Sequence, residues 1–202
     1  MTIRIALVAL ATAILSPAMV HAIPQGTPPI AAATPKDDLV RVALDTSAGR
    51  IVIALDAKRA PVTSANFLAY VTSGKFNGET FYRAMPYGQG GLIQGGIRSD
   101  GRKLTPAIAH EATSTTGIKH VAGTISMANA GLGTAKSDFF ILTTDIPAFD
   151  ASFAAFGRVV EGMDVVKRIL AAPVSSTKGE GAMKGQMLEP GVTIEKAALV
   201  TS

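Results

Sequence analysis

Short apolar alternations separated by turn residues recur along most of this chain, and they constrain its fold more than any other feature. Val40, Val42 and Leu44 alternate with Arg41, Ala43 and Asp45; Ser47-Ala48-Gly49 supplies a turn; Ile51, Ile53 and Leu55 then alternate again. Successive side chains of a strand point to opposite faces, so this pattern predicts a β-hairpin with one buried face. Further short strands are predicted over Thr80–Met85, Leu92–Gln94, Thr124–Ala128, Phe139–Thr143, Phe156–Val160 and Val192–Val200. Only two stretches read as helix. Ala60-Pro61 opens the first, with Val62, Phe67, Leu68 and Val71 on one stripe and Gly74 as its stop. Gly162 leads into the second, Met163–Ala171. Gly101–Gly117 and Pro173–Pro190 read as loops. Many strands with two helices predict a mainly β sandwich or barrel, and pairing of the last strand with the first would remove exposed edges.

The 202 residues suffice for one ordinary domain with a full core, but the first segment stands apart from it. Met1–Arg4 carries a positive charge, Ile5–Leu15 is apolar apart from Thr12, and Val20-His21-Ala22 ends in small residues. That is the layout of a signal peptide cleaved after Ala22, and it predicts an exported, periplasmic protein. The apolar run is shorter than the roughly 20 residues a spanning helix needs, so no stable membrane insertion is expected after cleavage. Residues 23–38, rich in Ala, Pro and Thr, read as a linker, and 39–202 as the domain. The chain has no cysteine, so packing rather than disulfides must hold it together. Its basic residues are scattered rather than gathered in a stripe, which argues against a nucleic-acid partner. A monomer is expected.

Hydrolytic and nucleotide chemistry fit poorly. Beyond residue 22 only His110 and His120 remain, and both read as structural. No Gly-x-Ser-x-Gly occurs, His110-Glu111 lacks the second histidine of a zinc helix, and Gly88-Gln89-Gly90-Gly91 has no Gly-Lys-Ser/Thr after it. Two stretches are more informative. Phe81–Gly96 sets Arg83 between an aromatic strand and a glycine-rich turn, followed by Leu92, Ile93 and Gln94. A fixed cation, an amide and an apolar wall suit an uncharged, polarisable group such as a peptide carbonyl. In Gly123–Phe140 a strand ends at Met127-Ala128-Asn129-Ala130-Gly131, where small residues let another backbone approach and Asn129 offers its main-chain groups. Taken alone, this second stretch reads more simply as a strand end, a turn and a core Phe140.

Together, Phe-Tyr-Arg, Gln-Gly-Gly, Ser-Met-Ala-Asn-Ala-Gly, Ser-Asp-Phe-Phe and Phe156-Gly157-Arg158-Val159 with Glu161-Gly162-Met163 resemble the cyclophilin-type peptidyl-prolyl cis–trans isomerases, in order and approximate spacing, from Leu39 to Val200. The resemblance implies an eight-stranded antiparallel β-barrel capped by two α-helices, an isomerase of X-Pro bonds, proline-containing peptide segments as partners, and no metal or organic cofactor. It implies that Arg83 is catalytic, that Gln94 is the active-site glutamine, that Ala128 and Asn129 line the groove, and that Phe140 floors the proline pocket with Leu92 and Phe149. Departures from the family remodel the rim: Tyr82 in place of a histidine, Gly91 by counting in place of a pocket phenylalanine, Asp138 for glutamine, Ala148 for tryptophan, Phe153 for histidine. They leave two readings, an active isomerase that assists the folding of exported proteins, or a weakly active binding or chaperone module that keeps the groove.

Overall fold

The structure, a computed structural model, describes residues 39–200; the predicted signal peptide and linker lie outside them. Nine strands form one antiparallel sheet: β1 Val40–Thr46, β2 Gly49–Leu55, β3 Thr80–Tyr87, β4 Gly90–Gly96, β5 Thr124–Met127, β6 Phe139–Leu142, β7 Ala154–Glu161, β8 Val174–Ser175 and β9 Met187–Leu199. Their spatial order is β1-β2-β7-β5-β6-β4-β3-β9, and β9 returns to pair with β1, closing an eight-stranded barrel; β8 is added outside on β9. The seam pairs Val42 with Leu199 and Leu44 with Ala197, so the expected first-to-last pairing exists and neither strand keeps an open edge.

The three α-helices are α1 Pro61–Thr72, α2 Thr113–Thr116 and α3 Met163–Leu170. Pro61 starts α1 where a missing N–H costs nothing. No local side chain caps this helix; Glu111 does so from a distant loop, its two carboxylate oxygens accepting from the N–H of Val62 at 3.0 Å and of Thr63 at 2.8 Å. Phe67, Tyr70 and Val71 of α1 and Val165, Val166 and Ile169 of α3 enter the same core as Leu44, Ile53, Ile93, Ile125 and Ile141. Phe67 meets Phe139 edge-on at 5.2 Å between ring centres, and Phe81 meets Phe139 similarly at 5.6 Å. Aromatic pairs of this geometry add roughly 0.5–1.5 kcal/mol beyond their buried area.

Two loop expectations are corrected. The 101–117 segment holds a single 3₁₀ turn, Gly101–Lys103, and the one-turn α2, which ends at Gly117 in the left-handed region (φ 70°). The 173–190 segment contains β8 and the start of β9. Pro190 and Gly191 make this region read as irregular. A register shift between Phe81 and Arg83 on β3 absorbs them, so Arg83 pairs with Met187 before Phe81 pairs with Val192.

Candidate active site

The register of four neighbouring strands builds the site. Arg83 of β3 lies opposite Gln94 of β4, Gln94 opposite Phe140 of β6, and Phe140 opposite Ser126 of β5. One rung along, Met85 lies opposite Leu92, and Leu92 opposite Leu142. Residues two apart on a strand share a face, so these two rungs stand together on the sheet face turned away from the core. The intervening Ala84, Ile93 and Ile141, and Phe139 next to Phe140, enter the main core instead. Leu92, Phe140, Leu142 and Ile146 form a second apolar cluster, against which Met85, Ala128, Phe149 and Phe153 pack half-buried.

Phe140 is its floor. Phe149 and Phe153 meet it edge-on at 5.6 and 5.2 Å, and touch each other at 4.9 Å. Behind it, His120 stacks on Phe140 at 6.1 Å. His120 is fully buried and held at both ends. Its Nδ1 lies 2.8 Å from Asp150, and since a carboxylate only accepts, Nδ1 carries the proton; Nε2 then accepts from the Ser126 hydroxyl at 2.9 Å. Burial pushes His120 below its ordinary value against the opposing pull of Asp150, so the ring stays neutral at neutral pH.

Arg83 is locked along its edges. Nε donates to Gln186 Oε1 at 2.9 Å and Nη1 to Gln94 Oε1 at 2.9 Å, while Nη2 reaches only the thioether of Met85 at 3.4 Å. Burial lowers its proton affinity, opposed by Tyr82, yet a guanidinium remains charged. Gln94 donates through Nε2 to the Tyr82 hydroxyl at 2.6 Å, and Tyr82 donates to Asp138 at 2.6 Å. Burial, then the Asp138 carboxylate, pushes the Tyr82 hydroxyl well above its ordinary value, so it stays protonated.

Asn129 follows the end of β5. Its side chain is spent on the loop, donating to Ser152 O at 2.8 Å and accepting from Gly131 N at 3.0 Å. No backbone bond of the described residues uses its own N–H or C=O. Asn129, Ala128, Gln94, Tyr82 and Asp138 line a cleft of about 350 Å³, and Ala128 is shared between this cleft and the apolar cluster.

The structure thus gathers Arg83, Gln94, Leu92, Ala128, Asn129, Phe140 and Phe149 on one face. Gly91 carries no aromatic wall. Its φ is 153°, and a Cβ there would lie 2.1 Å from Met85 O; the hairpin, extended by the Pro86–Gly91 and Tyr87–Gly90 pairs, turns at Gly88 (φ 56°) and leaves that position no side chain. Phe153 supplies aromatic surface to the cluster instead. Sequence reasoning missed Met85, although it stands two residues from Arg83 on the same strand face. It also missed Gln186, which the 176–186 segment brings across 103 positions of chain, its carbonyl anchored by Ala84 N at 2.9 Å; nothing local in the sequence marks it.

This barrel wall sets a fixed guanidinium beside an apolar cluster and a cleft lined by Asn129, whose main-chain groups make no backbone bond among the described residues. The family model described as cyclophilin type peptidyl-prolyl cis-trans isomerase/CLD matches residues 40–198. The chain belongs to this family and is a peptidyl-prolyl cis–trans isomerase. It is 42% identical over 138 residues to peptidyl-prolyl cis-trans isomerase A of Dickeya dadantii, covering 63% of this chain and 70% of that protein. It is 39% identical to peptidyl-prolyl cis-trans isomerase ppi1 of Schizosaccharomyces pombe, covering 65% of this chain and 85% of the relative. In fold it is similar to the crystal structure of a Cryptosporidium parvum cyclophilin-type isomerase, with a TM-score of 0.69 at 21% identity over 81% of this chain and 99% of the other. A second crystal structure of that protein, determined in the presence of the dipeptide Ala-Pro, gives 0.68 at 22% identity over 80% of this chain and 99% of the other.

Proposed function

We propose that Arg83 is the catalytic group and that the second apolar cluster receives the proline ring. The amide bond resists rotation because the nitrogen lone pair is delocalised into the carbonyl, with a barrier of about 18–20 kcal/mol. Twisting the bond localises that lone pair and makes the nitrogen an acceptor. In this reading the proline packs on Phe140, Leu92, Met85 and Phe149, the main chain of Asn129 holds the adjoining peptide, and Arg83 donates to the prolyl nitrogen as it turns pyramidal. No bond to the enzyme forms. Donors fixed before the reaction bind the twisted state better than either planar state, which lowers the barrier. One observation carries the assignment: two amide oxygens clamp Arg83 in place while Nη2, on the pocket side, has nothing better than a thioether to satisfy it.

The test is isomerisation of a short proline peptide. Arg83→Ala is expected to lower kcat/KM at least tenfold with the fold unchanged by circular dichroism. Arg83→Lys is expected to fall too, since one ammonium cannot bridge Gln186 and Gln94 from opposite edges. Full rates in both variants would sink the assignment. The charged start, short apolar run and small-residue end of residues 1–22 support export, and with it a role in folding exported proteins through their proline segments. The secreted protein should begin at or near Ile23 on N-terminal sequencing; an intact Met1 in membrane-anchored protein would refute this.

A further inference from the structure

The Arg83–Gln94–Tyr82–Asp138 chain of hydrogen bonds has only one consistent direction. Asp138 as a carboxylate accepts and cannot donate, so the single proton of the Tyr82 hydroxyl is committed to it. The Tyr82 oxygen is left as an acceptor, and the Gln94 group 2.6 Å away must be its NH₂ end. That places Oε1 of Gln94 toward Arg83, which has donors only and needs an acceptor there. If Tyr82 lacked its hydroxyl, nothing at that end would distinguish the two flips of the glutamine amide, and the flipped form would set NH₂ against the guanidinium.

Asp138 is itself fixed. Ser137 Oγ donates to its Oδ1 at 3.2 Å, and its side chain sits against Gly96, where a Cβ would come within 2.3 Å of Oδ1. The Arg98 guanidinium covers the Tyr82 ring at 4.6 Å and holds it in plane. The loop bearing Arg98 is tied in turn to buried Glu79, which accepts from Arg98 N at 3.0 Å, Ser99 N at 3.2 Å and Lys103 Nζ at 2.7 Å. Asp138 and Tyr82 are therefore each held by groups beyond the hydrogen-bonded chain itself.

We propose that Tyr82 and Asp138 are positioning residues for the isomerase reaction, acting as a one-way hydrogen-bond lock that sets the flip of Gln94 and through it the placement of Arg83. This rests on Arg83 being the catalytic group. The lock acts through Gln94 rather than on the turning bond; it removes an alternative in which the guanidinium is repelled out of register with the pocket. Arg83, having donors only, already favours the oxygen end of Gln94, and Tyr82 adds the matching preference at the other end, because the two ends of the amide are nearly equal in size.

The full chain and the variants Tyr82→Phe, Gln94→Ala and their combination would be compared in the isomerisation assay, with Asp138→Asn, Asp138→Leu and Arg83→Ala alongside. Tyr82→Phe should lower kcat/KM about tenfold in the native background but less than about twofold once Gln94 is alanine, because its effect runs through that amide. Asp138→Asn keeps an acceptor oxygen and should stay within about threefold, whereas Asp138→Leu should fall as far as Tyr82→Phe. A tyrosine that merely supports the fold would cost the same factor in both backgrounds, and that outcome, or no loss from Tyr82→Phe, overturns the lock. If Arg83→Ala loses its rate while Tyr82→Phe does not, only the lock fails; if Arg83→Ala keeps its rate, the catalytic assignment fails and the lock with it.

Discussion

Replacing Gly91 with alanine should damage both the barrel and its site, and the size of the effect follows from the backbone. A methyl group there lies 2.1 Å from Met85 O and 3.0 Å from both Met85 C and Pro86 Cα, where ordinary contact begins at 3.4 Å. All three atoms are main chain, so no side-chain rotation relieves the overlap. The φ of 153° adds strain that an L side chain meets wherever it goes, a cost of order 1–3 kcal/mol. Spreading β3 from β4 would also disturb the carbonyl of Gly91, which accepts from Thr143 N at 2.8 Å, at about 1 kcal/mol for a backbone hydrogen bond. The sum is about 2–4 kcal/mol, which for a domain of this size lowers the melting temperature by about 5–15 °C. Calorimetry reads that directly. Met85 and Leu92 are the walls that must move, so kcat/KM should fall in step. Gly101→Ala is the control: nothing lies within 4 Å of its Cβ, so a change within about 0.5 kcal/mol is expected. A Gly91→Ala protein melting within about 2 °C of the native one would refute the packing argument.

Gln186→Ala removes the acceptor from Arg83 Nε and leaves the Gln94 side intact, so kcat/KM should drop about five- to tenfold without the Gln94 coupling expected of Tyr82→Phe; a rate within twofold of native would show that the 176–186 segment is not needed to hold the arginine. His120 titrates lower folded than unfolded, so as pH falls below about 6.5 the unfolded chain takes up the proton first, and the stability that neutral burial provides is lost progressively toward the folded value. Urea unfolding should therefore show stability flat above about pH 7 and declining from about 6.5 downward, with the slope between 6.5 and 5 reduced in His120→Gln; equal slopes in the two proteins would exclude His120 as its source.

The strands were legible because each carries its own period-2 signal, and the same signal divides residues between two faces. Ile93 and Leu92 are neighbours in sequence, yet one enters the core and the other the second apolar cluster. The rung from Arg83 through Gln94 to Phe140 needs strand order and register as well, which no single strand encodes; the resemblance in motif order pointed to the same residues without giving either. Gln186 and the Tyr82–Asp138 pair lay beyond reach for another reason. Their meaning is a hydrogen bond between distant segments, and neither partner looks unusual in its own stretch. Glu111 makes the same point. Beside His110 it lacked the second histidine of a zinc helix and carried no other local signal, and in the folded chain it caps a helix that begins 50 positions earlier.

The seam between β1 and β9 also governs how the chain must reach this structure. The first strand of the domain cannot complete its hydrogen bonding until the last strand arrives. Contacts so far apart in sequence bear the full entropy of closing the intervening loop, which places the domain among slow folders. Until β9 docks, β1 and β3 both present open edges at the gap, rows of unpaired N–H and C=O groups able to template the edge of another unfinished copy. A nascent or truncated chain ending before Ile194 should consequently self-associate. An isomerase built this way is thus itself committed to a slow final step, in which the first and last strands of its barrel must find each other before the barrel closes.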